Sequence, residues 1–145
     1  MTYGATKAGL NSAFNDWTDA LNGGDLKGFY AFFDARSEVL DEDFPWRMTK
    51  EEFIDHIGFH AGTGGHPALW DHFKWIPRET EVKVWNKTTG HVSGFSTFRG
   101  KPVDAGFRQR FMGFTTTWVH LGNTWKLISW HQSVLSGRID GASPS

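Results

Sequence analysis

"WVHLGNTWKLISWHQS", residues 118–133, decides how this chain folds. Gly122-Asn123 is a two-residue hairpin signal between two runs of aromatic and β-branched residues. Residues of a strand alternate between its two sides. Trp125, Leu127, Ser129, His131 and Ser133 therefore share one side, and Lys126, Ile128, Trp130 and Gln132 the other. Neither side is plainly polar. A two-residue loop pairs Leu121 with Thr124, Trp118 with Leu127, Thr116 with Ser129 and Phe114 with His131. One face of the ribbon then carries Arg110, Met112, Phe114, Thr116, Trp118 and His131. The other carries Phe111, Thr115, Thr117, Ile128, Trp130 and Val134. Both are largely apolar, so both should be covered. Helices of the same chain can cover only one. The simplest cover for the other is a second copy, which predicts a homodimer formed through the outer sheet face.

Upstream of the hairpin the pattern divides in two. Residues 6–22 place Leu10, Phe14, Trp17 and Leu21 at helical spacing, with Thr6 as the N-cap and Gly23-Gly24 as the stop. "DLKGFYAFF" reads as a short second helix capped by Asp25, and "SEVLDED" as a short strand. "FPWRM" is a turn. "TKEEFIDHIGFHAG" opens with the Thr49-x-x-Glu52 capping pattern and predicts a third helix. After "GTGGHP" come five strand-like runs: "ALWDHFKWI", "TEVKVWNKT", "HVSGFSTFR", "FRQRFMGFTTTWVH" and "TWKLISWHQSVL". The expectation is α+β, with three N-terminal helices packed in the concave face of a curved antiparallel sheet. One domain over residues 1–136 fits the absence of any linker or repeat. The small, polar residues 137–145 read as a flexible tail.

Composition narrows the function classes. The chain has 145 residues, 39% hydrophobic and 21% charged, in the range of a globular domain with its own core. A formal net charge of −1 gives no sign of a nucleic-acid or membrane-surface partner. Without cysteine there is no thiol nucleophile, thiolate metal site or disulfide. No apolar leader or bilayer-length run is present, which points to the cytoplasm. The 8 tryptophans are the unusual count, because tryptophan concentrates in pockets and interfaces as well as cores.

Three stretches together resemble the nuclear-transport-factor-2-like superfamily, in particular its SnoaL-like and ketosteroid-isomerase-like members. "WTDALNGGDLKGFYAFF" followed by "SEVLDED" resembles their helix-turn-helix-strand opening, "TKEEFIDHI" their third helix, and "WVHLGNTWKLISWHQS" their closing hairpin. The last is also similar to the association domain of calcium/calmodulin-dependent kinase. The resemblance implies a cone-shaped, cystatin-like roll with a pocket at its open end, usually dimeric. It implies an apolar pocket for a small organic molecule, and proton-transfer chemistry without a cofactor. The fold also hosts non-catalytic binding and oligomerisation modules, so the residues must choose.

By the resemblance Asp41 stands where the isomerases have their general base, and Trp17 where they have an oxyanion-stabilising tyrosine. An indole N–H donates one hydrogen bond but cannot act as an acid. The alternative for Asp41 is a solvated strand-end carboxylate. His56, His60, His66 and His72 fall within 17 positions. His56 and His60 are four apart on a helix, but the acid expected of a zinc-protease helix is missing, so no metal site is assigned. His60 and the inward-facing His131 are candidate acid–base groups, and His72 a candidate for the pocket wall. Arg110 on the same face would pair with Asp41 or Asp43, or hold an anionic ligand. The anion-binding arginine set of the kinase association domain is not carried over, because one of its positions is Thr116. Trp17, Trp46, Trp75 and Trp118, with Phe114, are candidates to line the pocket, the alternative for each being core. "GTGGHP" lacks a phosphate-loop lysine, and no nucleophile elbow is present.

Overall fold

The computed structural model describes residues 2–41, 46–57 and 70–135. Helix α1 spans Lys7–Asn22. Its cap is Thr6, whose Oγ1 accepts from Gly9 N at 3.0 Å, and it stops where Gly24 takes φ 82°, a left-handed value that favours glycine. Helix α2, Leu26–Ala31, is capped by Asp25, which accepts from Gly28 N at 3.0 Å. Strand β1 (Phe33–Leu40) begins earlier than "SEVLDED" suggests. A two-residue strand β2 (Met48–Thr49) leads into α3 (Lys50–Ile57). Thr49 and Glu52 exchange backbone-to-side-chain bonds of 2.9 and 3.2 Å, both halves of the capping box that the spacing predicts. The remainder of the expected third helix, "GTGGHP" and residues 137–145 lie outside the described residues.

The long strands are β3 (Trp70–Trp85), β4 (Thr89–Pro102), β5 (Arg108–Leu121) and β6 (Thr124–Val134). The two runs on either side of Pro77 are one strand. β3 lies at the sheet edge, where a proline's missing N–H costs no ladder bond. The break appears instead as a bulge between Arg78 and Glu81, with Glu79 at φ 53°.

The sheet order is β2-β1-β6-β5-β4-β3. It is mixed, not antiparallel throughout, because β1 runs parallel to β6. β2, α3 and three long strands separate β1 from β6 in the chain, so no tight hairpin forces the two to run antiparallel. The third helix follows β1 and β2 in the chain, so only α1 and α2 precede the sheet.

The hairpin of β5 and β6 corrects the expected register. Leu121 pairs with Thr124 and Trp118 with Leu127 as the turn predicts, but Thr117 pairs with Ser129, and Thr116 with Trp130. One extra residue, Ile128, is accommodated as a β-bulge. A one-residue slip exchanges the faces of everything beyond it. Trp130 therefore points inward and is 1% exposed, whereas His131 lies on the exposed outer face. Burial drives this choice. Trp125, Leu127 and Trp130 all reach the core only if a bulge corrects their odd spacing.

Trp17 of α1 stands at the centre of that core. Its ring lies within 6.3 Å of those of Phe14, Phe29, Phe33, Trp75, Trp118 and Trp130. Phe53 of α3 packs against Trp130 at 5.5 Å. Asn22, the last residue of α1, secures the sheet edge. Its side-chain amide donates to the Trp75 carbonyl at 2.8 Å and accepts the Trp75 N–H at 2.8 Å. The edge strand thus finds a partner for backbone groups that have no neighbouring strand. At the opposite end Tyr3 N donates to Asn123 O at 2.7 Å, and Trp125 Nε1 donates to Gly4 O at 2.9 Å, tying the N-terminal segment to the hairpin.

Candidate functional site

Asp41 follows the last residue of β1 and shares an inward parity with buried Ser37 and Val39. Beside it on β6, Leu40 pairs with His131, so Gln132 is the next residue to turn inward. The Gln132 side-chain amide donates to Asp41 Oδ1 at 2.7 Å. Its carbonyl oxygen accepts from Trp75 Nε1 at 3.2 Å. Strands β3 and β6 are three places apart in the sheet, about 14 Å if it were flat. Their side chains meet because the sheet curls over α1. A carboxylate, an amide and an indole thus form one hydrogen-bonded line across the interior.

The surroundings are aromatic. Trp75 lies 5.0 Å from Phe114 and 5.4 Å from Trp130, centroid to centroid. Phe114 stacks on Phe14 at 5.8 Å. Trp118 Nε1 donates to Thr116 Oγ1 at 2.8 Å, and that hydroxyl donates to the Val92 carbonyl at 2.9 Å. Among the described residues, the Nε1 groups of Trp17 and Trp130 are buried without such a partner, as is the Tyr30 hydroxyl. Burial pushes that hydroxyl well above the usual phenol range. An indole N–H can only donate, so these are unsatisfied donors in an apolar interior.

Of the residues singled out from sequence, Asp41, Trp17, Trp75, Phe114 and Trp118 converge on this interior. Trp46 is 44% exposed. His72 is exposed on edge strand β3. Arg110 keeps the inward parity of Met112 and is half-buried, but it pairs across the sheet with Phe98, toward the far end of the ribbon. His131 is the correction: the bulge turns it away from the helices, so it does not join Asp41. His60, Asp43 and the side chain of His56 lie outside the described residues. Among the described residues no three His, Asp or Glu side chains gather at metal-ligand distance. Gln132 and Trp130, which regular alternation assigns to the outer face, are the inward residues of this site. Their signal was present in the odd spacing of Leu127 and Trp130, which a regular strand cannot bury on one face.

The outer face of the same sheet holds a shallow concavity of about 480 Å³, lined among others by Glu79, Glu81, Phe95, Thr115 and His131. Phe95 and Phe111 are 40% and 47% exposed on this face. Among the described residues no helix covers them.

No protein-family model matches the chain, and no curated protein matches its sequence. Solved structures do. A nuclear transport factor 2-like superfamily protein from Salmonella enterica aligns with TM-score 0.71 at 10% identity, over 90% of this chain and 91% of that one. A protein described as a scytalone dehydratase from Novosphingobium aromaticivorans gives 0.67 at 12%, over 87% and 81%. One described as a calcium/calmodulin-dependent protein kinase II association domain, from Xanthomonas campestris, gives 0.68 at 15%, over 88% and 86%. At such identities the likeness is one of fold.

Proposed function

The chain has the nuclear-transport-factor-2-like fold, and on that premise we propose that it binds a small apolar organic molecule against its aromatic interior, with Asp41 as a general base. The chemistry this fits is cofactor-independent proton transfer, as in isomerisation or dehydration. Asp41 would take a proton from carbon next to a carbonyl, and the unsatisfied indole donors are available to an oxygen that gains charge. His60 is the candidate acid partner. The observation that carries the reading is a carboxylate held by Gln132 at 2.7 Å beside an interior of buried aromatic rings. The likeness to a protein described as a dehydratase supports the reaction class.

The test uses a panel of apolar ketones and hydroxy-ketones, with intrinsic tryptophan fluorescence for binding and deuterium uptake at the carbonyl's α-carbon for proton transfer. Wild type should show saturable binding and uptake. Asp41→Asn should keep the binding and lose uptake by a factor on the order of 10²–10⁴. Binding without uptake in wild type would reduce the protein to a binding module, and no saturable binding would refute the reading altogether.

A second reading concerns assembly. The uncovered aromatics Phe95 and Phe111 and the likeness to a kinase association domain support self-association through the outer sheet face. Light scattering at micromolar concentration should give a dimer that Phe111→Asp dissociates. A wild-type monomer would refute it.

A further inference from the structure

We infer that Gln132 is a positioning residue for Asp41, and that the Trp75 indole sets the direction in which it acts. An amide side chain can be turned either way, and what lies around it decides. Here the choice is forced by chemistry. Trp75 Nε1 carries a hydrogen and has no lone pair to offer, so the Gln132 atom 3.2 Å away must be the carbonyl oxygen. The amide nitrogen is then the atom 2.7 Å from Asp41 Oδ1, and it can only donate. An amide turned the other way would set its oxygen against the carboxylate and its N–H against the indole N–H, two repulsive contacts in place of two bonds. Trp75 thus acts on Asp41 through Gln132. The line fixes the carboxyl rotamer and favours its ionised, proton-accepting form.

The bulge at Ile128 is what makes this possible. Without it β6 would keep strict alternation, Gln132 would face outward with Lys126, and His131 would stand beside Asp41. Bulges commonly re-aim side chains next to functional sites. The aromatic packing of Trp130 holds the bulge, and the bulge delivers the amide one position later. Gln132 is half-buried, and among the described residues its side chain hydrogen-bonds to Trp75 and Asp41 alone.

This inference rests on the reading of Asp41 as the acting carboxylate, and its test needs no substrate. The Asp41 carboxyl carbon and the Trp75 indole N–H are followed by NMR as pH is varied. In wild type the Trp75 indole signal should titrate with the Asp41 midpoint, because the amide transmits the change of charge. Gln132→Met, similar in size but without the amide, should raise the Asp41 midpoint by about one unit, since a lost N–H donor disfavours the anion. It should also leave the Trp75 signal flat through that range. Gln132→Glu can still accept from Trp75 but sets like charge against Asp41, so it should raise the midpoint further.

An Asp41 midpoint in Gln132→Met within a few tenths of a unit of wild type would overturn the inference, because a residue that only fills space would leave it there. Should that variant fail to fold, a wild-type Trp75 signal that ignores the Asp41 titration overturns it equally. Coupled titration in a protein that turns over no ketone would retire the catalytic reading and keep the positioning. Turnover with uncoupled titration would do the reverse.

Discussion

Replacing Thr116 by valine tests whether the interior is held by specific hydrogen bonds as well as by packing. The side chain is fully buried, and its hydroxyl works twice: Oγ1 accepts from Trp118 Nε1 at 2.8 Å and donates to the Val92 carbonyl at 2.9 Å. Valine matches threonine in shape and removes only the hydroxyl. It leaves the Trp118 N–H buried without a partner, at a cost of about 1–3 kcal/mol. The added methyl returns about 0.8 kcal/mol through apolar burial. The net expectation is a loss of up to about 2 kcal/mol, which lowers Tm by up to about 8 °C in a domain of this size. Urea unfolding should show the loss as a lower midpoint with an unchanged slope. The decisive measurement is a double-mutant cycle with Trp118→Phe, which deletes the donor. On that background Thr116→Val should cost about 1 kcal/mol less than on wild type. A substitution that is neutral or stabilising in both backgrounds would mean that the indole N–H draws nothing from Thr116, and the reasoning would fail.

Other expectations follow the same logic. Asn22→Ala removes both side-chain bonds to the Trp75 backbone and should cost about 1–2 kcal/mol in chemical denaturation; no change would mean that water serves the edge strand equally well. Tyr30→Phe deletes a buried hydroxyl that has no partner among the described residues, so stability should stay level or rise by up to about 1 kcal/mol, and a clear fall in Tm would reveal a bond to that oxygen. Both tyrosines have raised pKa values. For Tyr3 the first cause is burial and the second is the Asp16 carboxylate that its hydroxyl binds. Unfolding therefore releases phenolic protons in alkali. Their contribution is intact below about pH 10, the ordinary phenol value, and falls as pH rises above it. Phenolate absorbance should appear together with unfolding, and tyrosines that ionise in the folded protein near pH 10 would contradict this. Asp34 is held below the usual carboxylate range mainly by the Arg36 side chain that hydrogen-bonds it. Its small contribution is present above about pH 4 and lost as pH falls further. Arg36→Met should flatten the acid limb of the stability profile slightly, and an identical limb would show the pair to be inert.

Local chemistry determined a good deal of this protein from its sequence. Caps at Thr6, Asp25 and Thr49–Glu52, the glycine stop at Gly24 and the Gly122-Asn123 turn are contacts between near neighbours, so residue type and spacing suffice to read them. The same holds for the inward set Met112, Phe114, Thr116 and Trp118, which obeys unbroken alternation, and for Trp17 on the apolar stripe of α1. Only the tertiary structure decided the rest. That β1 joins the sheet parallel to β6 is a pairing between strands far apart in the chain, which no local rule fixes. That Pro77 lies within a strand depends on β3 being an edge. That Trp130 and Gln132 turn inward and His131 outward depends on one extra residue at Ile128, admitted because burying three large side chains of odd spacing outweighs a regular ladder. The partners of Asp41 follow from that bulge and from a curl that brings β3 across to β6. Alternation along a strand is a local rule. A bulge is a compromise between that rule and the core, and the core exists only once the chain has closed around it.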